Sequence, residues 1–262
     1  MSNIVIQTIK ELMNECLKDI DLKEIEGIGI CFPGTVTDTV VVKAENLGIY
    51  NLKIVEKLTK EYKIPMCLAN DAKVAAIAEK EFGSLKNYSD SLFLIIGTGV
   101  GGAAFIDGKL LKPKRYPGFE FGHMVIKENG GPCNCGRKGC FESYSSIKRF
   151  KEEISKDFNL NTIDGRKIVH FMLENKDNEK LNKMIDTYIK DLVIGLANLI
   201  NIFEPEAISI GGSFAFYKDI LLEKLEKELA KKEELYNKEE VPKIVMAELK
   251  NDAGIIGAAM LK

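Results

Sequence analysis

Three cysteines fall within eight positions in PCNCGRKGCFE, residues 132–142 of this 262-residue chain, and His123, one of only two histidines, lies just upstream in GFEFGHM. Cys133, Cys135, Cys140 and His123 make a Cys3His set. Four soft ligands of this kind suit a closed tetrahedral zinc site of the structural type, not a catalytic site with an open position. Pro132, Gly136 and Gly139 let the loop turn tightly enough for its sulfurs to converge, and bound metal would supply free energy that so short a loop cannot draw from packing. A redox loop of free thiols is the alternative, and it leaves His123 without a role.

Three further stretches carry chemistry. IIGTGVGGA, residues 95–103, is no P-loop, because no Lys-Ser/Thr follows, and no dinucleotide fingerprint, because a strand follows instead of a helix. A glycine-rich bend between strands can still aim backbone N–H groups and the Thr98 hydroxyl at phosphate oxygens, or it can be a plain tight turn. In LANDAKVAAIAE, Asp71 stands at a strand-to-helix corner. There it either caps the helix or, ionised beside the positive helix end, serves as general base in phosphoryl transfer. ISIGGSFA, residues 208–215, ends an apolar run in two glycines, which suits close backbone approach to a flat ligand or a simple turn.

The elements that must position these residues follow from periodicity. Residues 4–18 carry apolar groups at helical spacing, and EGIGICFPG reads as a buried strand ending at Pro33-Gly34. TVVVKA and IPMCLA read as strands and NLKIVEKLTKEY as amphipathic. Asn70-Asp71 opens a helix that runs to Phe82, with Gly83 as its terminator. SLFLII and GGAAFI are strands, and Asp107-Gly108 offers a hairpin turn. A long helix carries a stripe from Leu181 through Ile185, Tyr188, Leu192, Leu196 and Leu199 to Phe203. AISIGG and KIVMAEL are strands, EKLEKELAKKEEL is a solvated helix face, and AGIIGAAML is a short helix. This alternation predicts a layered α/β protein.

Composition narrows the function classes. Lys+Arg 37 against Asp+Glu 39 leaves no dense basic stripe, which argues against a nucleic-acid ligand. Charges interrupt every apolar run, and the first residues lack the pattern of a secretory leader, so a cytoplasmic location without a membrane partner is expected. In a reducing compartment, clustered thiols bind metal more often than they cross-link. Cys16, Cys31 and Cys67, each single in an apolar stretch, read as buried small hydrophobes.

The order of the motifs adds more than any one of them. GICFPG, then Asn70-Asp71 at a helix start, then GTGVGG, then Glu120-Phe121-Gly122-His123, then CNCGRKGCFE, then ISIGGS closely resembles the ROK family of sugar kinases and sugar-responsive repressors over essentially the whole chain. The resemblance implies the actin-like ATPase (ribonuclease H-like) fold, two α/β lobes with the active site in the cleft. The smaller lobe would be residues 1–88 with 249–262, and the larger 89–248.

It also implies ATP-dependent, Mg2+-assisted transfer of the γ-phosphoryl group to a hexose or N-acylhexosamine hydroxyl, with glucose and N-acetylmannosamine favoured. By position, Asp71 would be the catalytic base and Asn70 its sugar-binding neighbour. Glu120, His123 and Glu142 would hydrogen-bond sugar hydroxyls, with His123 also on the structural Zn2+. Thr98 and Gly99 would meet the ATP phosphates, Gly211 and Gly212 the adenosine end, and the protein would be a homodimer.

One departure stands out. Family members begin with a strand carrying D-x-G-G-T, a phosphate loop, and two more strands, whereas the first element here is the helix IQTIKELMNEC. A first lobe lacking those strands is therefore expected. With it comes a second possibility, a catalytically silent sugar-binding protein of the same family.

Overall fold

Short, largely apolar runs, most of them bounded by glycine, proline or aspartate, form the strands, and the longest three- and four-residue apolar stripe forms the longest helix. The computed structural model describes residues 2–113, 118–231 and 241–261. Two compact units divide the chain: Met1–Glu81 with Pro113–Gly118 and Asn251–Lys262, and Phe82–Lys112 with Phe119–Lys250.

In the first unit, α1 (Ser2–Leu17) buries Ile6 and Met13. The same registry turns Cys16 outward, so that thiol is exposed instead of buried; Cys31 and Cys67 are half-buried. β1 (Ile28–Phe32) stops before Pro33-Gly34. An antiparallel sheet of β2 (Thr35–Val36), β3 (Val41–Ala44) and β4 (Ile49–Leu52) follows, paired in that order. β4 takes the first two residues of NLKIVEKLTKEY, and α2 (Ile54–Tyr62) buries Ile54, Val55 and Leu58. β5 (Met66–Asn70) runs parallel to β1, which sets Asn70 opposite Phe32. The helix α3 (Asp71–Phe82) starts at the next residue, so strand pairing fixes where Asp71 stands.

The second unit is built on a mixed sheet. β6 (Ser91–Ile96) and β7 (Val100–Ile106) form a hairpin, and β8 (Lys109–Leu110) folds back on β7 through Asp107 and Gly108, both at positive φ (51° and 71°) as a tight two-residue turn requires. Among the described residues, four α-helices then precede the next strand: α4 (Glu142–Ser145), α5 (Ile147–Asp157), α6 (Gly165–Glu174) and α7 (Glu179–Phe203). β9 (Ala207–Gly211) pairs parallel with β6, α8 (Lys218–Leu229) follows, and β10 (Lys243–Met246) pairs parallel with β9. The sheet order among the described residues is β10-β9-β6-β7-β8.

The α7 stripe packs Leu181, Ile185, Tyr188, Leu192, Leu196 and Leu199 into one core with Leu92, Leu94, Ile208 and Ile210 of the sheet. Each such side chain contributes ~1.5–3 kcal/mol on burial, so the stripe dictates which helix face meets the sheet. The charged run that begins at Glu223 is helical as far as Leu229, and its last four residues lie outside the described residues. The short helix α9 (Ala253–Ala259) completes the first unit. Among the described residues, no helix is long and apolar enough to cross a membrane.

Candidate active site and metal loop

Val100, the first residue of β7, is where three of the sequence motifs meet. Its N–H donates to Glu142 Oε2 at 2.9 Å. Its carbonyl oxygen faces Gly122 so closely that a Cβ at Gly122 would stand 2.0 Å away. Only glycine fits there, which explains the third position of Glu120-Phe121-Gly122-His123. The glycine-rich bend, the segment carrying Glu120 and His123, and the end of the cysteine loop are thus in direct contact. Thr98 is exposed at the tip of the bend, and Lys148, in the first turn of α5, donates its N–H to the Gly97 carbonyl at 3.0 Å.

Glu120 is exposed and precedes a 3-10 turn, Phe121–His123, closed by the His123 N–H on the Glu120 carbonyl at 3.0 Å. That turn aims His123 at the cysteine loop. Its Nδ1 lies 3.7 Å from Cys133 Sγ, and Cys135 Sγ lies 3.6 Å from Cys140 Sγ. All four ligand atoms fall within 4.8 Å of one another. Ligands at ~2.0–2.3 Å from a tetrahedral ion stand at about such separations, so the chain's own residues fit a metal ion. Hydrogen bonds from Arg137, together with neighbouring Cys133 and Cys140, outweigh the effect of burial on Cys135 and hold its thiol down at about 6, near the thiolate a metal needs.

Residues that sequence reasoning missed tie this loop to the core. The Gly131 N–H donates to the Tyr144 hydroxyl at 2.5 Å. The Tyr144 ring carries Lys127 Nζ 4.3 Å from its centroid and the Arg149 guanidinium at 5.0 Å. Lys127 also pairs at 2.6 Å with Asp191 on α7, whose side chain is only 6% exposed. Each partner is an ordinary residue in sequence, and only the fold brings them together.

Asn70 and Asp71 belong to the first unit. The Asn70 amide donates to the Gly34 carbonyl at 2.8 Å, which orients its oxygen toward the start of α3. The Ala72 N–H meets both Asn70 Oδ1 and Asp71 Oδ1 at 2.9 Å. Asp71 therefore takes part in satisfying the helix end. Lost solvation pushes its pKa up, against these hydrogen bonds, which pull it down. Cys31 nearby rises to about 11 through burial and the Asp71 charge.

Pairing of β9 with β6 sets Gly211 opposite Ile95, two residues before the glycine-rich bend. Gly212 then opens a 3-10 helix through Tyr217. A cavity of about 230 Å3 lies there, walled by Ser213, Phe216 and Tyr217 from this helix, Lys151 from α5, and Asp164 and Arg166 at the start of α6. Phe216 is 67% exposed. It lies four residues beyond Gly212, and no residue pattern in ISIGGSFA singled it out.

Residues 1–262 match the ROK family model. The chain belongs to the ROK family. A glucokinase of Halalkalibacterium halodurans is 31% identical over 259 residues, covering 91% of this chain and 76% of that protein. A xylose repressor of Caldicellulosiruptor bescii is 30% identical over 253 residues, covering 90% and 62%. The chain spans less than two thirds of that repressor's length. Among solved structures, a ROK hexokinase from Thermus thermophilus superposes with a TM-score of 0.78 at 28% identity, covering 90% of this chain and 78% of that one. A ROK glucokinase from Streptomyces griseus, solved with glucose and AMPPNP, gives 0.81 at 23% identity over 98% and 87%, a likeness of fold. The α/β architecture is the actin-like ATPase fold of these ROK sugar kinases.

Proposed function

We propose that this ROK protein is an ATP-dependent sugar kinase that phosphorylates a hexose or N-acylhexosamine hydroxyl, glucose or N-acetylmannosamine first. The observation that carries the reading is the meeting at Val100 of the glycine-rich bend with the segments bearing Glu120, His123 and Glu142. A phosphate grip and a set of sugar-hydroxyl partners are thereby held as one piece. The glucokinase relative supports the same reading.

In this mechanism, Asn70, Glu120, His123 and the free oxygen of Glu142 bind sugar hydroxyls. Asp71 accepts the proton of the attacking hydroxyl, whose oxygen bonds to the γ-phosphorus as the β–γ bridging bond breaks and ADP leaves. The raised pKa of Asp71 makes it a better proton acceptor than an ordinary aspartate. Thr98 and Gly99 meet the phosphates, and Gly211 and Gly212 lead the adenosine toward Phe216. Bound Mg2+ would neutralise charge on the phosphates. Zn2+ held by His123, Cys133, Cys135 and Cys140 would pin the loop and stay off the reaction path. We also propose that the protein works as a homodimer.

The test is sugar-dependent ADP release across a hexose panel. A second reading, a regulatory sugar binder without turnover, is favoured by the xylose repressors among the relatives. It predicts sugar binding without ADP release.

A further inference from the structure

We propose that Glu142 is a positioning residue for the glycine-rich bend, so that the metal loop sets the shape of the phosphate grip as well as facing the sugar. The bend is clamped at both ends. At its start the Gly97 carbonyl accepts from Lys148, one of the N–H groups that the first turn of α5 leaves unpaired within the helix. At its end the Val100 N–H is held by Glu142 Oε2 at 2.9 Å. Between the clamps, Gly99 lies so close to the same carboxylate that a Cβ would stand 2.3 Å from Oε2. The carboxylate therefore also fills the space beneath the bend.

Glu142 is itself rigidly placed. It follows Cys140 by two residues, and Phe141 between them is fully buried. The Phe141 N–H donates to the Met124 carbonyl at 2.7 Å, next to His123, and the Phe141 carbonyl accepts from Ser145 at 2.9 Å. A displacement of the cysteine loop would therefore pass through two peptide links to Glu142 and from its carboxylate to Val100 through the hydrogen bond. A charged acceptor on a backbone N–H is among the stronger hydrogen bonds. It acts here beside the Gly97 N–H to Gly99 carbonyl bond at 2.9 Å inside the bend, so losing it loosens the Val100 end in particular.

The inference rests on the kinase reading for its choice of probe. The experiment is calorimetric titration of MgADP into wild type, Glu142→Ala and Glu142→Gln, with residue-resolved amide exchange on each. In wild type the Val100 amide is expected to be protected. In Glu142→Ala, protection is lost at Val100 while α7 keeps it, and MgADP affinity falls about tenfold, ~1.4 kcal/mol. Glu142→Gln, whose amide oxygen can accept the same N–H, is expected to stay within about threefold of wild type.

A freely exchanging Val100 amide in wild type would overturn the proposal. So would a Glu142→Ala protein that binds MgADP like wild type and loses only sugar affinity. If wild type binds no MgADP, the kinase reading falls, and exchange at Val100 alone decides the role of Glu142. If Glu142→Ala fails to fold, wild-type exchange and the Gln variant still decide it.

Discussion

Gly122 presses on the Val100 carbonyl with no room for a side chain, since a Cβ would lie 2.0 Å from the oxygen. The opposing atom is backbone in a central hairpin, which cannot yield as a flexible side chain could. Gly122→Ala is therefore expected to cost about 1–3 kcal/mol through overpacking, and to weaken sugar binding because His123 and Glu120 are displaced with it. A lowered melting temperature together with a raised sugar Kd checks this; a neutral substitution would mean that the contact is looser than it stands.

The cysteine loop is held by Tyr144, and the metal proposed for His123, Cys133, Cys135 and Cys140 would add to that hold. Tyr144→Phe keeps the ring under Lys127 and Arg149 but removes the acceptor of the Gly131 N–H, a loss of about 0.5–1.5 kcal/mol. Faster metal transfer to a chromogenic chelator is the expected outcome. Complete chelation of the wild type is expected to lower the melting temperature and sugar affinity together. An unchanged melting temperature would speak against a structural clamp.

Phe216→Ala is expected to raise KM for ATP about tenfold, consistent with ~1–3 kcal/mol for stacking of a base on an aromatic ring, and to leave KM for sugar unchanged. Steady-state kinetics with each substrate varied in turn separates the two. An equal rise in both would place Phe216 in general packing instead.

In the proposed mechanism the pH profile follows from Asp71. Its pKa is raised in the folded chain, so the active ionised form appears only above the ordinary aspartate range near ~4. Activity should climb with pH on an acid limb shifted upward from that value, and Asp71→Glu should move the limb. On stability the sign is opposite. The raised pKa favours the folded state at low pH, and that contribution is lost as pH climbs through the folded value. A kcat/KM profile flat through the acid range would contradict the base assignment.

What could be read before the fold was known divides along physical lines. The α7 stripe and strands such as SLFLII declare themselves because burial on one face imposes a strict period over many residues. β2 and β4 were hidden, since two and four residues carry no period worth reading. The cysteine set was legible because metal chemistry demands particular residue types at close spacing. The bond from Val100 to Glu142 spans 42 positions and involves a backbone N–H, which no residue type announces. Asp191 as the partner of Lys127 was equally silent. Cys16 was misread because an apolar neighbourhood does not say which helix face a thiol occupies.

Coupled ADP release with glucose and N-acetylmannosamine, followed for wild type and Asp71→Asn with sugar binding in parallel, tests the proposed phosphoryl transfer most directly. Wild type should release ADP only when sugar is present, and Asp71→Asn should lose at least ~10²-fold of that rate, the lower end of what a general base supplies, while still binding sugar. Sugar binding by wild type with no sugar-dependent ADP release, or full turnover by Asp71→Asn, would contradict it.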